Sequence, residues 1–228
     1  MRIRRMICLS ICIVALIASV FMRYSIKNDY NEIENREEFL VPYFPESITN
    51  LFSGLDKILL DSPVIIIGTA TGNSEYVFRN FWQEVVVSDV IKGEEIVTKN
   101  TTIKVSGSGS IAYKYDKNIQ NTEKAGRIGV NTSFLNYMQE GEKYLIFISR
   151  KVNVSDDEIY ELNNQAITMQ YINLTKNENQ VYDIIDEVDG VCEVLYKEVK
   201  NTEFVTNSNL AMKKFENIKN KLIKKLNV

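Results

Sequence analysis

The spacing of apolar residues divides the chain into segments of different period. Residues 6–22, "MICLSICIVALIASVFM", carry no charge at all. Leu51, Leu55, Ile58 and Leu59 instead recur at helical spacing. They predict one helix with one buried face, opening at Pro45-Glu46 and stopping near Asp61-Ser62-Pro63. "VIIIGTAT" at 64–71 is uncharged and rich in β-branched residues, as a central strand is, and Gly72-Asn73-Ser74 predicts a turn after it. A long β segment follows from 77 to 91. Val85 and Val87 share a face there, Val90 breaks the alternation, and a bulge at Ser88-Asp89 restores it. Lys92-Gly93 then turns the chain into a third strand, "TTIKVSG" at 101–107. Residues 107–133 are polar and glycine-containing, so they read as a long loop. A turn at Glu140-Gly141-Glu142 leads into a strong strand at 143–149, followed by strands at 159–163 and 166–174 and a weaker one at 180–185. The chain ends in an amphipathic helix over 207–228, capped by Ser208 or Asn207. Ala211, Phe215, Ile218, Leu222 and Leu226 form its apolar stripe, and six lysines cover the rest.

Strands in a row, one of them bent, with no strand–helix–strand alternation, argue against a doubly wound α/β sheet. They predict a mainly β protein: a small OB-like antiparallel barrel with flanking helices, preceded by one N-terminal transmembrane helix. The expected divisions are a cytoplasmic tip and anchor over 1–27, a stalk and short helix over 28–62, the β domain over 63–206, and the basic C-terminal helix over 207–228.

Charge sharpens this picture. The net charge of −3 hides +5 over residues 1–27 and +5 over 207–228, which leaves −13 for 28–206. So acidic a body repels nucleic acid, while the basic ends suit anionic lipid headgroups. Arg2, Arg4 and Arg5 before the uncharged run predict an N-terminus inside and the remainder outside, on a single-pass anchor in the cell membrane. The alternative is a cleaved signal peptide and secretion, for which Ala18-Ser19-Val20 offers only a poor small-x-small site. Cys8 and Cys12 lie in the uncharged run and only Cys192 lies beyond it, so the outer domain has no internal disulfide. That usage, with a Lys-, Asn- and Ile-rich composition, suits a Gram-positive bacterium.

Histidine is absent, which removes the commonest general base and metal ligand and makes a Ser-His or Cys-His pair impossible within the chain. Cys192 reads as a strand cysteine, because Glu187, Asp189 and Glu193 raise rather than lower a thiol's pKa. Asp183, Asp186 and Asp189 are the calcium candidates, with Asp156, Asp157 and Glu158 behind them. Without the D-x-D-x-D-G pattern, both stretches read better as solvated acidic loops. Phe81, Trp82, Tyr113 and Tyr115 offer a binding platform or, more simply, core packing. Lys92-Gly93 lacks the glycines and the following Ser or Thr of a phosphate loop, so it reads as a turn. The lysine face of the last helix reads as solvated, over a helix packed on the barrel. No catalytic, cofactor-binding or firm metal residue is expected.

"DSPVIIIGTATG", "VVVSDVIKGEE", "TTIKVSG" and "MQEGEKYLIFIS" follow one another in an order that resembles bacterial extracytoplasmic domains of the tissue-inhibitor-of-metalloproteinases, or netrin-like, class. The resemblance covers about residues 55–175 and implies an OB-type barrel. It does not imply protease inhibition, which in that class uses a free N-terminal cysteine as zinc ligand. This chain has no cysteine near the start of the domain. The expectation is a membrane-anchored, non-catalytic domain that binds a protein or envelope component. The alternatives are a carboxylate-based cell-wall glycan hydrolase and an inhibitor of an extracellular protease.

Overall fold

The computed structural model describes residues 10–22, 40–77, 80–106, 111–113, 128–130, 134–152, 158–163, 169–175, 178–182 and 193–228. Residues 10–22 form helix α1. Then come β1 (Leu40–Pro42), a 3-10 helix (Glu46–Leu51) and α2 (Leu55–Leu60). The main strands follow as β2 (Val64–Val77), β3 (Asn80–Lys92) and β4 (Thr102–Ser106), with two short strands, β5 (Ile111–Tyr113) and β6 (Ile128–Val130). The chain continues through β7 (Lys143–Lys151), β8 (Ile159–Leu162), β9 (Tyr171–Asn173) and β10 (Glu193–Leu195), and closes with α3 (Tyr196–Val199) and α4 (Asn209–Leu226).

Five strands close into a barrel in the order β2-β3-β4-β8-β7 and back to β2. Three consecutive strands form a meander, and a fourth, β7, returns by a long connection to lie beside the first, which is a Greek key. β8 completes the ring between β7 and β4, and its pairing with β4 is the one parallel ladder of the barrel. Closure removes the open edges that would otherwise pair with another chain. A second, four-stranded sheet in the order β10-β1-β6-β5 lies outside it.

The alternating positions of β3 and β4 explain the core. Val85, Val87, Ile103 and Val105 are buried, while Val86 and its cross-strand partner Thr102 are exposed. β7 is buried at every position from Tyr144 to Ile148, because it pairs on both edges and both of its faces are covered. Phe215 of α4 stacks flat on Phe204 at 4.6 Å between ring centroids, and Phe204 meets Phe44 and Phe52. Aromatic burial on this scale fixes α4 to the body.

The bulge in β3 is where the broken alternation placed it. Ile67 pairs with Asp89 and Gly68 with Val87, so Ser88 is the extra residue, and its hydroxyl donates to the Ile67 carbonyl. Other expectations need correction. The single helix over 46–60 is two: Phe52 takes an extended backbone between them, drawn out of helical register as it packs on Phe44 at 4.9 Å. Gly72-Asn73-Ser74 is not a turn. β2 runs through it to Val77, with the three residues 71–73 bulging opposite Glu84, to which Thr71 and Asn73 both donate. The stalk ends before residue 41, since Val41, Tyr43 and Phe44 are buried. The loop over 107–133 contains β5 and β6. The strand expected over 166–174 is confined, among the described residues, to Tyr171–Asn173, and residues 180–182 form none. One of the six lysines assigned to solvent, Lys219, is buried.

Among the described residues no helix is long and apolar enough to cross a membrane. Helix α1 covers thirteen residues of the uncharged run, and residues 1–9 and 23–27 of the expected anchor lie outside the described residues. Its apolar side chains meet no core: Ile11, Val14, Leu16, Phe21 and Met22 are each more than 60% exposed.

Candidate functional site

Three places in the structure gather chemistry-bearing side chains. The first is the turn after β3. Gly93 has φ +89, and a Cβ there would come within 2.8 Å of Val64 Cγ2 and 3.0 Å of the Pro63 carbonyl oxygen. The neighbouring Lys92 ammonium donates to the Leu59 and Ser62 carbonyls at 2.9 and 2.7 Å, where the last carbonyls of α2 lack helical partners. Ser62 is itself tied down: its hydroxyl donates to Ile58 O and accepts from Asn163 Nδ2, both at 2.7 Å. Lys92 therefore closes a helix.

The second is a buried polar cluster between the barrel and the C-terminal segment. Glu142, at the start of β7, accepts from the Tyr144 hydroxyl at 3.0 Å and from Asn173 Nδ2. The Asn173 backbone N–H donates to Glu203 Oε1 at 2.6 Å, and Lys219 of α4 donates to Glu203 Oε2 at the same distance. Tyr171 donates to the Asn136 carbonyl at 2.7 Å. Asn179 Oδ1 accepts from the backbone N–H groups of Glu203 and Phe204, while its Nδ2 is buried with no hydrogen-bond partner among the described residues. Burial pushes the Glu203 carboxyl above the ordinary carboxylate range, against the opposing pull of Lys219. Burial likewise holds the Tyr144 and Tyr171 phenols protonated. The cavity lined by Glu142, Tyr144, Tyr171, Asn173 and Glu203 has a volume of about 30 Å³. It admits one or two waters and is about a tenth of the size of a ligand pocket. No sugar ring fits it. The cluster is a brace joining β7, β9, the segment before α4 and α4 itself.

The third is the outward face of β2, β3 and β4. Trp82, the chain's one tryptophan, is half-buried there, opposite Glu75 on one side and Ser106 on the other. Glu84 follows on the same face, holding Thr71 and Asn73 at 2.9 Å each, and Lys104 bridges to Glu75 at 3.2 Å. Phe81 points the other way, into the body, with its ring 4.7 Å from Tyr137. Strand alternation therefore separates Phe81 from Trp82, and Phe81 takes the core-packing role that was the simpler expectation. Tyr115 lies outside the described residues, as do Cys192, Asp156, Asp157 and the calcium candidates Asp183, Asp186 and Asp189. Glu158 is described: it accepts from Lys151 at 2.6 Å and from the Tyr160 hydroxyl at 2.5 Å, and these bonds hold its carboxyl below the usual range. Among the described residues no group of three or more acids or cysteines is placed to hold a metal.

The buried brace escaped sequence reasoning because its members come from distant segments. One local signal was present. Lys219 falls four residues after Phe215 and three before Leu222, on the apolar stripe itself. Compared with known proteins, the chain matches no family model and no curated protein.

Proposed function

We propose that the chain is a membrane-tethered, extracytoplasmic binding domain whose barrel is of the OB type. One observation carries the tether: a helix that exposes almost every apolar side chain, flanked by Arg2, Arg4 and Arg5 before it and Arg23 after it. Such a surface costs roughly 25 cal/mol per Å² left in water, and a bilayer removes that cost. The arginine cluster favours the inner side for the N-terminus and the outer side for the barrel. Support for the OB type comes from the closed five-strand Greek key with its single parallel ladder and from the motifs of the netrin-like class that the strands resemble. In that fold ligands meet the exposed face of the middle strands. Here that face carries Trp82, Glu84 and Lys104, which suits a protein or polar envelope component. A glycan hydrolase finds no support in the buried carboxylates, because their cavity holds only water-sized guests.

The test is extraction and topology. The full chain, tagged after Val228, is expected to stay with membranes in alkaline carbonate and to lose its tag to protease added to cells stripped of their wall. Release by carbonate, or a tag protected in intact cells and cut only after lysis, would end this reading.

A further inference from the structure

We infer that the outward stripe of α4 binds the anionic phospholipid headgroups of the membrane that holds the N-terminus. This rests on the tethered reading above. Leu210, Lys213, Asn217, Lys221 and Lys224 recur at three- and four-residue spacing and are all exposed, so they form one line along the helix. The three lysines of that line are unpaired with any described residue. Lys214 and Lys225 flank the line and are already engaged, with the Thr49 carbonyl and with Asp56, both across the segment 46–60. The body between the two basic ends carries −13, so the stripe is a local reversal of sign and not a sample of the whole surface. An anionic bilayer is the surface that such a reversal complements.

The path of the chain enters the body beside α4. The first described segment after α1 is β1, and it leads directly onto α4. Phe44 packs on Phe204, which stacks on Phe215, and Glu46 accepts from Ser208, the cap of α4. Residues 23–39 separate α1 from β1, and fully extended they reach at most about 60 Å. The stripe is thus held within reach of the headgroups. Tethering raises its local concentration, so weak lysine–phosphate contacts suffice. Each lysine is expected to contribute roughly fivefold to occupancy on an anionic surface, and the three about a hundredfold together.

The experiment uses the full chain with Asn217→Cys as its single cysteine, the native three replaced by serine, carrying an environment-sensitive dye. The protein is reconstituted into vesicles of phosphatidylcholine alone or with one-third phosphatidylglycerol. Quenching by headgroup-labelled lipid is expected on the anionic vesicles. It should fall to the neutral-vesicle level in 0.5 M salt and in the variant K213Q/K221Q/K224Q, whose helicity by circular dichroism is unchanged. Equal quenching on both vesicle types overturns the inference. So does loss of quenching on adding inorganic phosphate at matched ionic strength, which would mark a discrete phosphate site in place of a lipid surface. Vesicle flotation keeps the two readings apart. Flotation with neutral vesicles in high salt reports the tether alone. A chain that floats only with anionic vesicles, and only with its three lysines, would retain the stripe and lose the tether.

Discussion

Removing Lys219 tests whether the buried brace holds the C-terminal helix. Lys219 and Glu203 are buried to 5% and 6% exposure of their side chains, with 2.6 Å between Nζ and Oε2. In Lys219→Met the methionine fills much of the lysine stem's volume, but Glu203 loses its cation. Deleting one partner of a buried pair costs about 3–5 kcal/mol, set mainly by the charge left behind. That is about a fifth or more of a typical domain's stability. The pH dependence has a definite sign. Burial already raises the folded pKa of Glu203 above its unfolded value of 4.5, and losing Lys219 removes the strongest opposing influence. A raised carboxyl contributes stability that is present below its unfolded pKa and is lost as pH rises through the folded one. The variant should therefore lose about 4 kcal/mol at pH 8 and less at pH 5, where Glu203 can take up a proton. Urea unfolding followed by Trp82 fluorescence reads this directly, since with a slope near 2 kcal/mol/M the midpoint falls by about 2 M. Lys219→Met/Glu203→Gln should recover most of the loss, because no charge is then stranded. A loss under 1 kcal/mol at pH 8, or the same loss at both pH values, would show that the pair is not the brace described.

Gly93→Ala should cost about 2 kcal/mol, since the left-handed backbone and the 2.8 Å approach to Val64 both oppose a Cβ; thermal melting reads it, and Gly141→Ala, at similar φ but with open space around it, should cost less. Phe215→Ala removes the ring stacked on Phe204 and should cost about 3–5 kcal/mol, with α4 exchanging its amide hydrogens faster than the barrel strands. Glu158, whose carboxyl is held low by Lys151 and Tyr160, contributes stability present above its unfolded pKa of 4.5 and lost as pH falls through the folded value. The pair is largely exposed, so Glu158→Gln should change stability by less than about 1 kcal/mol at pH 7, and by less still as pH falls through the folded pKa.

Where residues signal locally, the chain was legible. One extra residue between Val87 and Val90 disturbs a period of two, and Ser88 is that residue. Gly93 follows a strand and a lysine and takes the backbone angle that such a turn requires. The stripe of α4 was readable from Phe215 and Leu222 and its cap from Ser208. Where a segment's fate depends on a distant partner, it was not. β1 has three residues and no period of its own; it forms because Leu40–Pro42 pairs with Glu193–Leu195, some 150 residues away. Gly72 reads as a turn in any local window, yet Glu84 across the ladder supplies the acceptor that lets β2 bulge and continue.

Lys219 joins the two kinds of residue. Its position on the apolar stripe was visible, but its charge suggested solvent, and only Glu203 in a non-helical segment reverses that. The reversal matters to the rest of the helix. At 3.6 residues per turn, Lys219 lies nearly opposite Lys221 and well away from Lys213 and Lys224. Fixing Lys219 inward on Glu203 therefore fixes the rotation of α4 about its own axis, and with it the direction in which the other three lysines point. An apolar residue at 219 could bury the same face, but it would not choose among neighbouring rotations as sharply as a 2.6 Å contact between two charges does. On this argument the buried pair aims the exposed stripe.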